Sequence, residues 1–236
     1  MILTSASFEL LKRGASEQAA QVVQHLEKNV DKNVENLATL SMLKMGLGQV
    51  AEGTNLLEQA VQLDPSVDKH QLALAMSYLN NNEADKAQAI ADSLLKAAKT
   101  EILGHTITAY VALTKGDRAG VSKAAELILA KDPKNLLAMI MQARVAAANG
   151  DLDSVNRYIQ QVLAIDPGYY SALEMDYEFN KIEPSAGQAR DRISAALTRD
   201  PENISLLSLQ ARVLFEQKKF DDVIAMLTSV KTAAEQ

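Results

Sequence analysis

An all-α chain built from about seven copies of one helix-turn-helix unit is the architecture this sequence predicts, and three observations carry the prediction. Four of the five prolines, Pro65, Pro133, Pro167 and Pro201, are separated by 68, 34 and 34 residues. They sit in the phrases LDPSV, KDPKN, IDPGY and RDPEN, where proline stops a helix and disfavours helix at the residue before it. Gly14, Gly48, Asn82, Gly116 and Gly150 recur at the same interval, and these residue types suit the left-handed conformation that closes a helix. Between the breaks, apolar residues return at helical spacing, as with Leu37, Leu40, Leu57, Ala60 and Val61.

An ungapped ruler therefore divides the chain into units 1–33, 34–67, 68–101, 102–135, 136–169, 170–203 and 204–236, read as one solenoid domain. Each unit holds two antiparallel helices, A and then B. Asp117 and Asp151 directly follow the turn glycines, where a short carboxylate can cap helix B. One position in helix A is small in six units: Ser7, Ser41, Ala75, Ala109, Ala143 and Ala211. Close approach of helices requires a small side chain there. In the sixth unit Tyr177 takes that place, Asp176 and Asn180 stand where core is expected, and Pro184 replaces the turn glycine.

The small residue in helix A, the alanines in helix B and the terminal proline resemble the tetratricopeptide repeat across essentially the whole chain. The signature aromatic early in helix A is not matched, since Leu3, Leu37, Gln71, His105, Met139, Leu173 and Leu207 occupy its place. The resemblance implies a right-handed superhelix with helix A of each unit lining the inner surface, where a protein or peptide partner binds. The order of units, LLEQAVQLDPS followed by ALAMSYLNNNEADKAQAIADSLL and AKDPKNLLAMIMQARVAAANGD, is also similar to that of the long lipoproteins accompanying bacterial exosortase (PEP-CTERM) and exopolysaccharide export systems. Those proteins are longer and carry a lipidated cysteine. This likeness implies an internal fragment of a lipid-anchored envelope protein, on the periplasmic side.

Composition narrows the function classes. With 24 Lys and Arg against 30 Asp and Glu, and a pI near 5.2, the chain has no broad basic footprint for nucleic acid or anionic membrane. It contains no cysteine, which excludes disulfides, thiolate metal sites and cysteine nucleophiles. MILTSASFELLKRG has no basic leader, and Glu9 interrupts its apolar run, so it does not read as a signal peptide. No apolar run is long enough to insert in a bilayer.

Residues two, six, nine and thirteen of each unit face away from helix B at 100 degrees per residue, and they define the candidate groove; the other reading of this stripe is that some of them pack against the neighbouring helix A. The partner-binding residues of the groove are Met42, Met76, Leu103, Ile107, Tyr110, Leu137, Met141, Arg144, Met175 and Glu178, with Tyr169 at its rim. Flexible, polarizable methionines suit an adaptable surface for apolar or amphipathic segments. Lys69, Asn80, Arg144 and Arg212 are too scattered for a clamp on acidic peptide tails.

No catalytic, metal or cofactor site is expected. His25, His70 and His105 fall at non-equivalent places without metal-ligand spacing. Neither a phosphate loop nor a nucleophile elbow occurs. Asp221 with Asp222, and Asp151 with Asp153, complement the dipole at helix starts, while Arg190, Arg192 and Arg199 read as a solvated face. Two function classes follow: an interaction scaffold, or a substrate-recruiting or regulatory array serving an enzyme domain elsewhere in a longer protein.

Two local expectations complete the reading. In DPGYYSALEMDYEFNKIEP, Tyr170 and Tyr177 fill a widened interface and Asp176 finds an arginine or backbone donor, since an unpaired buried carboxylate is costly. In the last unit, Val223, Ile224, Met226, Leu227 and Val230 form an apolar face that solenoids normally cover. The expectation there is continuation in a longer protein or end-to-end self-association.

Overall fold

The computed structural model describes residues 2–181 and 185–234. Pro184 and the side chain of Val230 lie outside the described residues. Fourteen α-helices and no strands occur among them. The helix A series is α1 (Ile2–Lys12), α3 (Val34–Gly46), α5 (Asp68–Asn80), α7 (Glu101–Thr114), α9 (Leu136–Ala148), α11 (Tyr170–Phe179) and α13 (Ile204–Glu216). The helix B series is α2 (Ser16–Asn29), α4 (Val50–Leu63), α6 (Ala84–Leu94), α8 (Arg118–Lys131), α10 (Leu152–Ile165), α12 (Ser185–Arg199) and α14 (Phe220–Ala234). Five of the seven A helices begin on the first residue of their ruler unit. In the third unit, where Lys99 replaces the boundary proline, α6 ends early and a 3-10 turn, Ala98–Thr100, leads into α7.

The turns obey the backbone rule that predicted them. Gly14, Gly48, Gly116 and Gly150 have φ between 70° and 79°, and Asn82 has φ 60°. Lys218, at the same repeat position in the last unit, also has φ 60°, an L side chain held where only glycine is unstrained. Asp151 caps α10 by accepting from Ser154 N at 3.1 Å, and Asp117 accepts from Gly120 N at 2.9 Å. A second set of caps lies in the loop before helix A. Asn33, Asn135 and Asn203 each accept, through Oδ1, from the backbone N–H three residues on.

The chain divides into two compact units, Met1–Lys131 and Asp132–Gln236. In the first, one core joins Leu37, Leu57, Leu74, Tyr78, Ala91, Ile107 and Val111, and another joins Val23, Leu26, Leu40 and Leu43. The small residues Ser41, Ala75 and Ala109 are buried within it. At Gly53 a Cβ would stand 2.9 Å from the Ser41 carbonyl oxygen, so α3 and α4 touch through backbone. Lys44 of α3 is buried beneath Glu27 of α2 and Glu52 of α4, at 3.0 and 2.8 Å. Burial pulls its pKa down, but hydrogen bonds to Glu52 and Glu27 outweigh that and raise it overall.

In the second unit, Val155, Ile159, Val162, Leu173, Ile193, Leu206 and Leu209 are buried. Each such side chain contributes about 1.5–3 kcal/mol relative to exposure. Tyr177 is buried at the small-residue position, and α11, the shortest helix, ends at Phe179. Asp176 is fully buried and meets Arg192 Nη1 at 2.5 Å. The expected donor is therefore an arginine, and Arg192 corrects the reading of the RDRIS segment as a wholly solvated face. No described helix is long and apolar enough to cross a membrane.

Candidate partner-binding surfaces

The A helices pack on one another as well as on their B partners, α5 against α7 and α11 against α13. That second contact decides which positions of the expected groove remain open. Position six closes from the fourth unit on, where Ile107, Met141, Met175 and Leu209 are buried, while Thr39 is half-buried and Ala73 exposed. The helical spacing of Ile107, Met141 and Met175 predicts that they face a partner, and they are instead core residues. Ile107 is fully buried in the cluster containing Leu74, Tyr78 and Val111. An angle of 100 degrees per residue measured against helix B alone does not register burial by the neighbouring A helix.

Position nine stays open from the second unit to the sixth. In the first compact unit it carries Met42, which is 60% exposed, and the half-buried Met76 and Tyr110. Met76, Tyr110 and Leu103 rest on the core with their outer edges free. Beside them Lys69 of α5 lies 3.6 Å from Glu35 of α3, an exposed pair. The first unit thus presents an apolar column with a charged flank.

The second compact unit presents different chemistry at the same repeat positions. Arg144 and Glu178 are exposed and Arg212 is partly so, while Leu137 and Tyr169 are half-buried. Tyr169 stands at the N-cap of α11, where Asn33, Asn135 and Asn203 stand in other units. Glu178 lies 3.2 Å from Arg212 and 3.0 Å from Lys181, and Arg212 is 3.6 Å from Glu174. Tyr177 donates its hydroxyl to Glu216 at 2.8 Å and Tyr170 donates to Glu174 at 3.0 Å. Burial, then the Glu216 hydrogen bond and charge, push the Tyr177 phenol up to about 12. Burial and the Glu174 bond also raise that of Tyr170.

Reading the sequence alone does not single out Glu174, Lys181, Arg212 and Glu216 as one site. A signal is nonetheless present, because residues 42, 76, 110, 144, 178 and 212 form a 34-residue column reading Met, Met, Tyr, Arg, Glu, Arg. Of the histidines, His25 is exposed, His105 lies 3.7 Å from Glu101, and His70 is buried with its Nδ1 unpartnered. No cluster of three metal-ligating side chains occurs among the described residues.

Comparisons with known proteins agree with this geometry. A family model described as tetratricopeptide repeat matches residues 44–109. A thermophilic tetratricopeptide repeat protein from Thermus thermophilus is similar in structure, with a TM-score of 0.62 and 16% identity over 77% of this chain and 99% of that one. A tetratricopeptide repeat protein from Parabacteroides merdae gives a TM-score of 0.59 and 14% identity over 98% and 91%. PilW, a type IV pilus biogenesis factor, gives 0.56 and 15% over 88% and 96%. No curated protein matches the sequence. Residues 44–109 are a tetratricopeptide repeat segment, and the chain carries the all-helical repeat fold of the tetratricopeptide repeat structures it is similar to.

Proposed function

We propose that this chain is a non-catalytic protein-interaction scaffold that binds an apolar or amphipathic peptide segment on the helix A face of its first compact unit. The carrying observation is the column Met42, Met76 and Tyr110, open to solvent on a closed core. An exposed methionine forgoes burial worth about 2 kcal/mol, and a flexible thioether adapts to varied apolar surfaces. Leu103 widens the column, and Glu35 with Lys69 offers polar contacts at its edge. In the second unit, Arg144, Glu178 and Arg212 supply a charged face, with Leu137 and Tyr169 beside it, suited to a polar segment.

A more specific reading places the scaffold in a bacterial envelope, in exopolysaccharide export or protein sorting. Its support is the likeness in the order of the units described from sequence.

Selection of a random peptide library against the full chain tests the first reading. Selected peptides should carry two or more large apolar residues. Met42→Glu with Met76→Glu should weaken their binding at least tenfold with melting unchanged. Selection of peptides indifferent to both substitutions would refute the assignment.

A further inference from the structure

Within each compact unit a cleft opens between two successive B helices, and the two clefts carry opposite charge. In the first unit it lies between α2 and α4, holds about 480 Å³, and is lined by three carboxylates, Glu27, Asp31 and Glu52, against one lysine, Lys32. In the second it lies between α10 and α12, holds about 270 Å³, and is lined by Gln160, Arg192 and Arg199 around Leu163, Ala164 and Pro167. Leu163, Pro167 and Arg192 are the repeat equivalents of Glu27, Asp31 and Leu56. The cleft therefore belongs to the repeat, and its charge to the local residues.

Three features suit the second cleft to an anion. Arg192 is anchored, because its Nη1 donates to the buried carboxylate of Asp176. Its side chain is still 34% exposed, so a guanidinium held in place keeps further N–H donors for the cleft. Arg199 follows seven residues later on the same face of α12. It is exposed, and its side chain has no partner among the described residues, so its charge is the one that Asp176 leaves unbalanced. Position 160 is the third feature. Its repeat equivalents Glu58, Asp92 and Glu126 are carboxylates, and here a neutral amide takes their place. No carboxylate among the described residues lines this cleft. The acids that flank it in sequence are engaged locally, Asp166 accepting from Gly168 N and Asp200 from the Asn203 side chain.

We propose that the α10 and α12 cleft binds the carboxylate or phosphate group of a small organic acid. Arg192, Arg199 and the Gln160 amide donate to the oxyanion, and the carbon body lies along Leu163, Ala164 and Pro167. A guanidinium fork matches carboxylate and phosphate oxygens alike. The site does not involve the helix A face and stands whether or not that face binds a peptide.

The test follows the Nε–Hε signals of Arg192 and Arg199 and the side-chain amide of Gln160 in nitrogen-resolved spectra of the full chain. Benzoate, phenyl phosphate and the neutral benzamide are titrated at constant ionic strength. One or both of the anions should shift these signals saturably, the tighter one identifying the preferred group, and benzamide should not. Arg199→Glu should weaken binding at least tenfold. Gln160→Glu, which restores the carboxylate of other repeats, should weaken it severalfold. Both positions are exposed, so an unchanged thermal melt separates lost binding from lost folding. Absence of saturable shifts, an equal response to benzamide, or indifference to either substitution overturns the proposal.

Discussion

Arg192 Nη1 of α12 lies 2.5 Å from Oδ2 of Asp176 on α11, and that carboxylate is fully buried. Asn180 Nδ2 donates to its other oxygen at 3.0 Å. The pair ties together the two helices of the least regular repeat, where Tyr177 fills the position that is small in the other units.

Breaking this pair from one side leaves a buried charge without compensation, which costs about 3–5 kcal/mol in a closed interior. Arg192 is 34% exposed, so water can replace part of what it supplies. Arg192→Ala is therefore expected to cost about 2–3 kcal/mol in urea unfolding, at or just below the bottom of that range. Arg192→Met combined with Asp176→Leu should cost much less than the sum of its single changes. Additive losses would show that the pair is not coupled.

Tyr177 fills its site and also bonds Glu216. Tyr177→Phe removes only the hydroxyl and should cost about 1 kcal/mol, while Tyr177→Ala opens a cavity and should cost about 3–5 kcal/mol. The phenol is raised from an ordinary value near 10 to about 12. The folded state therefore favours neutral tyrosine, and this stabilisation, present below pH 10, is lost as pH rises through about 12. Ultraviolet titration should show a late-ionising tyrosine whose midpoint falls in Glu216→Gln.

His70 is buried with Nδ1 unpartnered. Burial, then the charge of Lys69, lowers its pKa below 6.5 against the opposing pull of Glu35 and Asp64. A depressed histidine binds its proton more weakly in the folded chain. Its contribution is whole above pH 6.5 and lost as pH falls through the folded value. The urea midpoint should drop as pH falls below 6.5 in the natural chain, and His70→Gln should flatten that part of the profile.

Lys218 adopts φ 60° where four other turns use glycine. A left-handed conformation costs an L residue roughly 1–2 kcal/mol, part of which glycine returns through its greater unfolded freedom. Lys218→Gly is therefore expected to raise stability by about 0.5–1 kcal/mol in thermal unfolding, whereas Gly116→Ala should lower it.

The repeat is legible in the sequence because its punctuation is local. Proline, glycine and aspartate act through their own backbone and one or two neighbours, so Pro133, Gly116 and Asp151 can be placed without tertiary knowledge. The same logic keeps Tyr177 in the core. Burial at position six from the fourth unit on is only partly legible: packing against the neighbouring A helix is one of two readings of the stripe, and nothing in the helix that carries Ile107 records which one holds there. Arg192 is misread because its guanidinium reaches a carboxylate on the other helix of its own repeat, 16 residues earlier. Lys218 is hidden by residue type, as the turn imposes on lysine a conformation normally left to glycine.

Methyl spectra of the chain labelled at methionine test the central claim most directly, because methionines occupy both the open column and the core. On titration with a peptide selected against the chain, Met42 and Met76 signals should shift and saturate together, while those of the buried Met139, Met141 and Met175 stay in place. Saturable binding that leaves Met42 and Met76 unmoved would contradict the account.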